Sequence, residues 1–219
     1  MKFQNLNYDV LYHMTEFLTF ETLYLLTLTC KDMNYLKKYI YKKAIKDMDK
    51  DVLKLSKYGY ISGSFLLNNL IGNKFKPSDI DIYVKHSDMK KVKSYMSDIY
   101  NDNMNYKPIY DTQYDKLKIE ARYKHYNVDI ISSFQYNKNK NRWYHISPKH
   151  CIKKFDISIC RNYLYKGELY INNINHIINR EFKDGKCLNK RDMWNRDGRI
   201  CKYISRGFKY IGKETDLLI

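Results

Sequence analysis

Proline and glycine are scarce, with three and eight copies in 219 residues, and neither occurs before Gly59. Proline breaks helices and glycine supplies turn conformations. Nothing before Gly59 therefore interrupts helix, and a turn-dense β architecture is excluded there. The five cysteines, Cys30, Cys151, Cys160, Cys187 and Cys201, form no CxxC pair and have no histidine at zinc-ligand spacing. This excludes a zinc finger or ribbon, and the odd number argues against a disulfide scaffold. Reduced core thiols in a cytosolic-type compartment are expected. Long apolar runs are also missing. The greasiest segment, Phe17 to Leu28, is cut by Glu21, and Met1-Lys2-Phe3-Gln4-Asn5 lacks the apolar core of a signal peptide. The expectation is a soluble, cytoplasmic protein with no membrane association. No internal repeat is visible, and only the Asn/Lys-rich stretch 137–142 is compositionally biased.

What is present is positive charge and tyrosine. The net charge is +16, and residues 1–50, 51–135 and 136–219 carry +2, +3 and +11 (8 basic against 6 acidic, 13 against 10, 19 against 8). A basic last third on a near-neutral remainder suits a polyanion, with nucleic acid ahead of an acidic membrane surface. A lysine-rich solvated face has the same composition. A hydrophobic fraction of 44% indicates a globular chain, long enough to bury a core. The 23 tyrosines, with abundant Lys, Asn and Ile, match an AT-rich coding style.

Apolar residues recur at helical spacing through Val10, Leu11, Met14, Phe17 and Leu18. Thr19 or Phe20 opens a second helix through Leu23, Leu25, Leu26 and Leu28, and Met33, Leu36, Ile40 and Ile45 mark a third. From Tyr58 short strands alternate with helices. The pattern predicts strands over Tyr58 to Ser62, Ile80 to Val84, Lys107 to Tyr110, Leu117 to Tyr123 and Tyr126 to Ile131, with helices from Ser64 to about Leu70 and from Ser87 to Tyr100. The last third reads as a polar loop (Tyr136 to Tyr144), a helix (Ser147 to Lys154), a strand (Phe155 to Tyr165), a turn at Lys166-Gly167 and a partner strand (Glu168 to Ile171). Closing helices end near Arg206, with Gly207 as C-cap. The expected fold class is α+β: a helical module (1–50), a small mixed-sheet core (51–135) and a basic α/β extension (136–219) packed on the core.

The densest chemical signal lies between Tyr60 and Val84. A Gly63-Ser64 turn precedes Pro77-Ser78-Asp79-Ile80-Asp81-Ile82-Tyr83-Val84. Successive strand side chains alternate faces, so Asp79 and Asp81 share one face while Ile80, Ile82 and Val84 take the other. Adjacent like charges call for a cation, and a divalent metal neutralises both. A further acid, Asp129, sits in Asn127-Val128-Asp129-Ile130-Ile131, and Asp156 is its rival as third member.

This order of strand, Gly-Ser turn, helix, loop, Asp-x-Asp strand and later acidic strand resembles the DNA-polymerase-β-like nucleotidyltransferases, over residues 56–135. The resemblance implies that Gly63 and Ser64 cradle the phosphates of an NTP such as ATP. It also implies that Asp79, Asp81 and Asp129 hold two Mg²⁺ or Mn²⁺ ions, with Asp129 helping to remove the proton from the attacking hydroxyl. The loop between Ser64 and Asp79 is longer than is common in the family, and its Lys74 and Lys76 contact phosphate or face solvent. The activity implied is transfer of NMP to a hydroxyl. RNA is the foremost acceptor given the basic tail, ahead of a protein or small molecule.

Residues 3–45 resemble an F-box through Leu6-Asn7-Tyr8-Asp9-Val10-Leu11, Met14, Phe17-Leu18, Leu23 and Leu28-Thr29-Cys30-Lys31, with Asn7 where that family usually has proline. That implies an adaptor subunit of a cullin-RING ubiquitin ligase as partner, the sheet domain then recognising a target. A Leu-rich helical cap accounts for the same residues. In the last third, Arg142 and Trp143 lie in a basic-aromatic stretch suited to single-stranded nucleic acid. Arg199, Lys202 and Arg206 fall on one side of the final helix, with Ile200, Tyr203 and Ile204 on another. Residues 155–160 and 199–208 resemble nucleotidyltransferase-like proteins of giant DNA viruses, which implies the host cytoplasm as location. His86, His125, His150 and His176 have no acid or thiol at telling spacing and are expected to be structural or exposed.

Overall fold

The computed structural model describes residues 17–29, 48–100, 105–110, 115–123, 126–137, 141–185 and 190–212, together with residues 10, 13 and 45. The fold is α+β, built on an eight-stranded mixed sheet. In spatial order its strands are β3 (Asn105–Tyr110), β4 (Asp115–Tyr123), β5 (Tyr126–Asn137), β2 (Asp79–Tyr83), β1 (Tyr60–Ser62), β7 (Tyr163–Tyr165) and β8 (Glu168–Tyr170). A further strand, β6 (Arg142–Ile146), pairs with the distal part of β5. Among the described residues only β2 and β5 run parallel in this sheet. A small separate ladder joins β9 (Glu181–Phe182) to β10 (Lys209–Tyr210).

Strand alternation divides the sheet into two unlike faces. Ile61, Ile80, Ile82, Val128, Ile130 and Leu164 are fully buried on one face. There they pack with Phe65, Leu66, Leu67 and Leu70 of helix α3 (Gly63–Leu70) and with Met89, Val92 and Met96 of α4 (Met89–Tyr100). Phe20 and Leu23 of α1 (Phe20–Thr29) and Val52 and Leu55 of α2 (Lys50–Leu55) join the same core. The opposite face carries a smaller cluster. Tyr60, Tyr83, Ile131 and Tyr163 meet Cys151 and Ile152 of α5 (Pro148–Lys153).

Capping follows the residue types at the helix ends. Thr19 Oγ1 accepts from Thr22 N at 3.1 Å, Asp49 from Asp51 N at 2.9 Å and Ser147 from His150 N at 3.3 Å. After the short helix α6 (Ile174–Ile178), α7 (Lys190–Ser205) ends as expected at Gly207, whose φ of 82° permits Phe208 N to reach back to Tyr203 O. Lys166 and Gly167, with φ of 52° and 78°, form the two-residue turn of the β7–β8 hairpin. Among the described residues no helix is long and apolar enough to cross a membrane.

Three sequence expectations need correction. Phe155 to Tyr165 is not one strand: Ser158–Cys160 forms a 3-10 turn and only Tyr163–Tyr165 is extended. Side chains cause the break, because Ser158 Oγ accepts from Lys183 N, Asn162 Nδ2 donates to Ile159 O and Arg161 Nε donates to Phe155 O. The polar stretch from Tyr136 is largely a hairpin, since β5 runs to Asn137 and β6 starts at Arg142. Cys201 is exposed, while Cys151 and Cys160 are buried thiols as expected; Cys30 and Cys187 lie outside the described residues. On α7, Ile200 and Tyr203 are buried while Ile204 is 49% exposed. Most of the F-box-like segment, and the third expected helix apart from Ile45, lie outside the described residues.

Two long-range contacts hold the periphery. Arg196, 5% exposed, reaches Asp184 Oδ2 and Asp197 Oδ1 at 3.1 Å each, and Tyr210 Oη donates to the other oxygen of Asp184 at 2.7 Å. This buried network ties α7 to the β9–β10 ladder. His86 stacks on His145 of β6 with centroids 4.6 Å apart, beside Phe134 of β5. Burial, with the neighbouring His86, holds the His145 imidazole below its ordinary pKa.

Arg196→Ala leaves Asp184 buried without its cation and is expected to cost about 3–5 kcal/mol in urea unfolding. The depressed His145 makes the unfolded chain take up a proton first as pH falls. Its contribution is therefore intact above the ordinary imidazole value of about 6.5 and shrinks as pH falls through that value toward the folded one. Unfolding free energies at pH 7.5 and 5.5 are expected to differ less in His145→Asn than in the wild type.

Candidate metal centre

The parallel register of β2 and β5 sets Asp81 opposite Asp129 and Asp79 opposite Asn127. Paired residues on neighbouring strands share a face, and Asp79 shares it with Asp81 by alternation. Oxygen atoms of Asp79, Asp81 and Asp129 consequently lie within 4.8 Å of one another, each residue half-buried. The alternating aliphatics force this arrangement, because Ile80, Ile82, Val128 and Ile130 are fully buried on the reverse side. Asp79 Oδ1 also accepts from Ser78 Oγ at 3.1 Å.

Gly63 closes one wall. Its φ is 77°, and a Cβ placed there would meet Asp81 Oδ2 at 2.6 Å. Both facts demand glycine. Helix α3 starts at this residue, and its N-cap Ser62 makes no side-chain cap. Instead Ser62 Oγ turns toward Cys160 O and Asn162 O. Ser62 thus provides no side-chain cap for the first-turn N–H groups of α3, which start beside the Asp81 carboxylate. Ser64 follows, 8% exposed.

All three candidate metal donors are carboxylate oxygens. Such hard donors suit Mg²⁺ or Mn²⁺ far better than a thiophilic ion, so Asp79, Asp81 and Asp129 fit the cation that the sequence implies. Cys160 lies nearby, its Sγ 2.8 Å from Tyr203 Oη. Burial pushes this thiol up to about 12 despite the opposing Tyr203 hydrogen bond, and burial likewise raises Tyr203 well above its ordinary value. Neither group is a nucleophile at neutral pH.

The remaining sequence candidates are scattered. Lys74 and Lys76 are exposed in the loop between α3 and β2. Asn68 Oδ1 shapes this loop by accepting from Phe75 N at 2.9 Å, while Asn68 Nδ2 donates to Asn73 Oδ1. Arg206 lies 4.0 Å above the Phe75 ring, with its buried Nη1 making no hydrogen bond. Asp156 is not part of the carboxylate cluster. Arg199 Nε pairs with its Oδ2 at 3.0 Å without a hydrogen bond to that oxygen, and its Oδ1 accepts from Ile157 N. Lys202 is exposed on α7. Arg142, also exposed, opens β6, and Trp143 follows it opposite Tyr136. Sequence reading passed over the buried Ser62 and the stacked His86–His145 pair. The alternation of Ser62 with Tyr60 was the available signal for the first, while the second joins residues too far apart in the chain to leave one.

The chain is similar to a CCA-adding enzyme solved with CTP. The identity is 16% and the TM-score 0.46, over 80% of this chain and 42% of that one. It thus spans under half the length of that structure. No protein-family model and no curated protein matches it.

Gly63→Ala is expected to displace the Asp81 carboxylate and weaken Mn²⁺ binding roughly 10–100-fold, as read by electron paramagnetic resonance. Gly198→Ala is the control. A Cβ there meets nothing within 4 Å, and Mn²⁺ affinity should be unchanged.

Proposed function

We propose that the protein is a metal-dependent nucleotidyltransferase that moves an NMP from an NTP to a hydroxyl acceptor, RNA foremost. The observation that carries this reading is the convergence of Asp79, Asp81 and Asp129 within 4.8 Å, against a glycine and the uncapped start of α3. Phosphoryl transfer asks a protein for in-line positioning and neutralisation of charge, and little covalent chemistry. Three clustered carboxylates beside the N-terminus of α3 supply both.

In this scheme Asp79, Asp81 and Asp129 would hold two Mg²⁺ or Mn²⁺ ions, which would supply Lewis-acid neutralisation of charge. The first-turn N–H groups of α3 and the Ser64 hydroxyl donate to the β and γ phosphates. Lys74 and Lys76 face the same anion from the loop. Asp129 accepts the proton of the acceptor hydroxyl as its oxygen bonds to the α-phosphorus. The bond from that phosphorus to the bridging oxygen breaks, and pyrophosphate leaves with the electron pair. Arg142, Trp143, Arg199, Lys202 and Arg206 are assigned to the acceptor side.

The test is incorporation of labelled NTPs into RNA pools with Mg²⁺ or Mn²⁺. Metal neutralisation is worth several kcal/mol in the transition state, so Asp79→Asn with Asp81→Asn is expected to lower transfer at least about 10³-fold. Transfer that survives the double substitution would exclude this site.

A further inference from the structure

The face of the sheet that bears the carboxylates does not end with them. Register carries one row across five strands: Asp129 on β5, Asp81 on β2, Ser62 on β1, Tyr163 on β7 and Tyr170 on β8. The next row holds Tyr83, Tyr60 and Tyr165. Tyrosines therefore fill this face beyond Ser62, and their rings interlock. Tyr60 stacks on Tyr165 with centroids 4.0 Å apart and planes 4° from parallel, and it meets Tyr163 edge-on at 5.3 Å. Tyr163 in turn stacks on Tyr170 at 4.8 Å and 15°. Tyr170 ends the ladder on the edge strand, 39% exposed.

Cations attend the rings. Lys149 Nζ from α5 lies 5.7 Å from the Tyr163 centroid, and Lys166 Nζ from the hairpin turn lies 5.3 Å from that of Tyr165. A core filler needs no exposed terminal ring and no flanking ammonium groups. Aromatic faces with interspersed cations are what unpaired bases and their phosphates require, and the chain's net charge of +16 favours a polyanion.

We propose that Tyr170, with Tyr163 beneath it and Lys149 and Lys166 beside it, forms a stacking platform for single-stranded nucleic acid. Three strand spacings of about 4.8 Å put Tyr170 roughly 14 Å from Asp81. That is on the order of four stacked nucleotides at about 3.4 Å each. A strand whose terminal hydroxyl sits at the carboxylates lays an upstream base on Tyr170. Naming this strand as the acceptor rests on the nucleotidyltransferase reading; its binding does not.

The experiment measures fluorescence anisotropy of labelled oligoadenylate without NTP or divalent metal, using the full chain. Wild type is expected to bind under these conditions, since the platform needs neither NTP nor metal. Tyr170→Ala is expected to weaken binding about tenfold and Tyr170→Phe to stay within about twofold, as stacking on one aromatic requires. Lys149→Gln with Lys166→Gln should reduce the slope of log affinity against log salt by about 1.4, two phosphate contacts on a single strand. An equal melting temperature establishes that each variant is folded, and the lysine pair serves if Tyr170→Ala is not. Failure to bind a single strand, equal binding by Tyr170→Ala, or equal affinity for a duplex overturns the platform. Binding as described with no NMP transfer by the wild type keeps the platform and removes the enzymatic reading. Transfer with Tyr170→Ala indifferent does the reverse.

Discussion

One pairing governs this molecule: β2 lies parallel to β5 with Asp81 opposite Asp129. Because strand side chains repeat every two residues, a slip of one place would turn Asp129 into the core and Val128 or Ile130 out to solvent. Burial of Ile80, Ile82, Val128 and Ile130 forbids the slip, each such side chain contributing roughly 1.5–3 kcal/mol. The same register forces ionised carboxylates together. Carboxylates held within 4.8 Å of one another repel. Hydrophobic burial on one side of the sheet thus maintains electrostatic tension on the other, and a divalent cation reverses the sign of that tension.

Gly63 is where the two faces are joined. The chain leaves β1 at Ser62 and enters α3 immediately, so α3 packs Phe65, Leu66 and Leu67 onto the apolar face while its first residue touches Asp81. A left-handed φ makes so abrupt a change of direction possible, and only glycine tolerates both that φ and the carboxylate at its side. Ser62 contributes by turning away. With its hydroxyl engaged by the carbonyls of Cys160 and Asn162, it anchors β1 to the segment before β7 and leaves the helix start open.

The strands and the acid positions were legible because they are local: Asp79-Ile80-Asp81-Ile82 and Val128-Asp129-Ile130 each declare a period of two, and Gly63 declares a turn. The sequence reading also placed Gly207 and the Lys166-Gly167 turn correctly, since positive φ selects residue types within a few positions. What was not legible depends on partners distant in the chain. Phe155 to Tyr165 has strand composition, yet Ser158 bonds Lys183 through both its hydroxyl and its backbone N–H, and no local pattern records that. Arg196 stands in a polar stretch that reads as a solvated helix face. Its burial follows from Asp184, twelve residues away, and from Tyr210 beyond the helix end. Which strands neighbour one another was equally hidden, so the tyrosines of β1, β7 and β8 could not be gathered onto one surface from their positions alone.

The distribution of positive charge alters where a polyanion would lie. The excess in the last third suggested the final helix, but Arg199 there is paired with Asp156 and Arg206 is stacked on Phe75. Charges already engaged internally give less to a phosphate, because binding must first break or share an existing contact. Arg206 instead has mechanical consequence, fastening α7 to the loop that carries Lys74 and Lys76 and leads directly into Asp79. Lys149 and Lys166 are differently placed, each beside a tyrosine ring on the side of the sheet that bears the carboxylates, although Lys149 also hydrogen-bonds Tyr163 and feels the Glu168 charge. A strand laid on Tyr170 at the sheet edge therefore meets these two ammonium groups, while Tyr60 and Tyr163 behind it stay buried against α5.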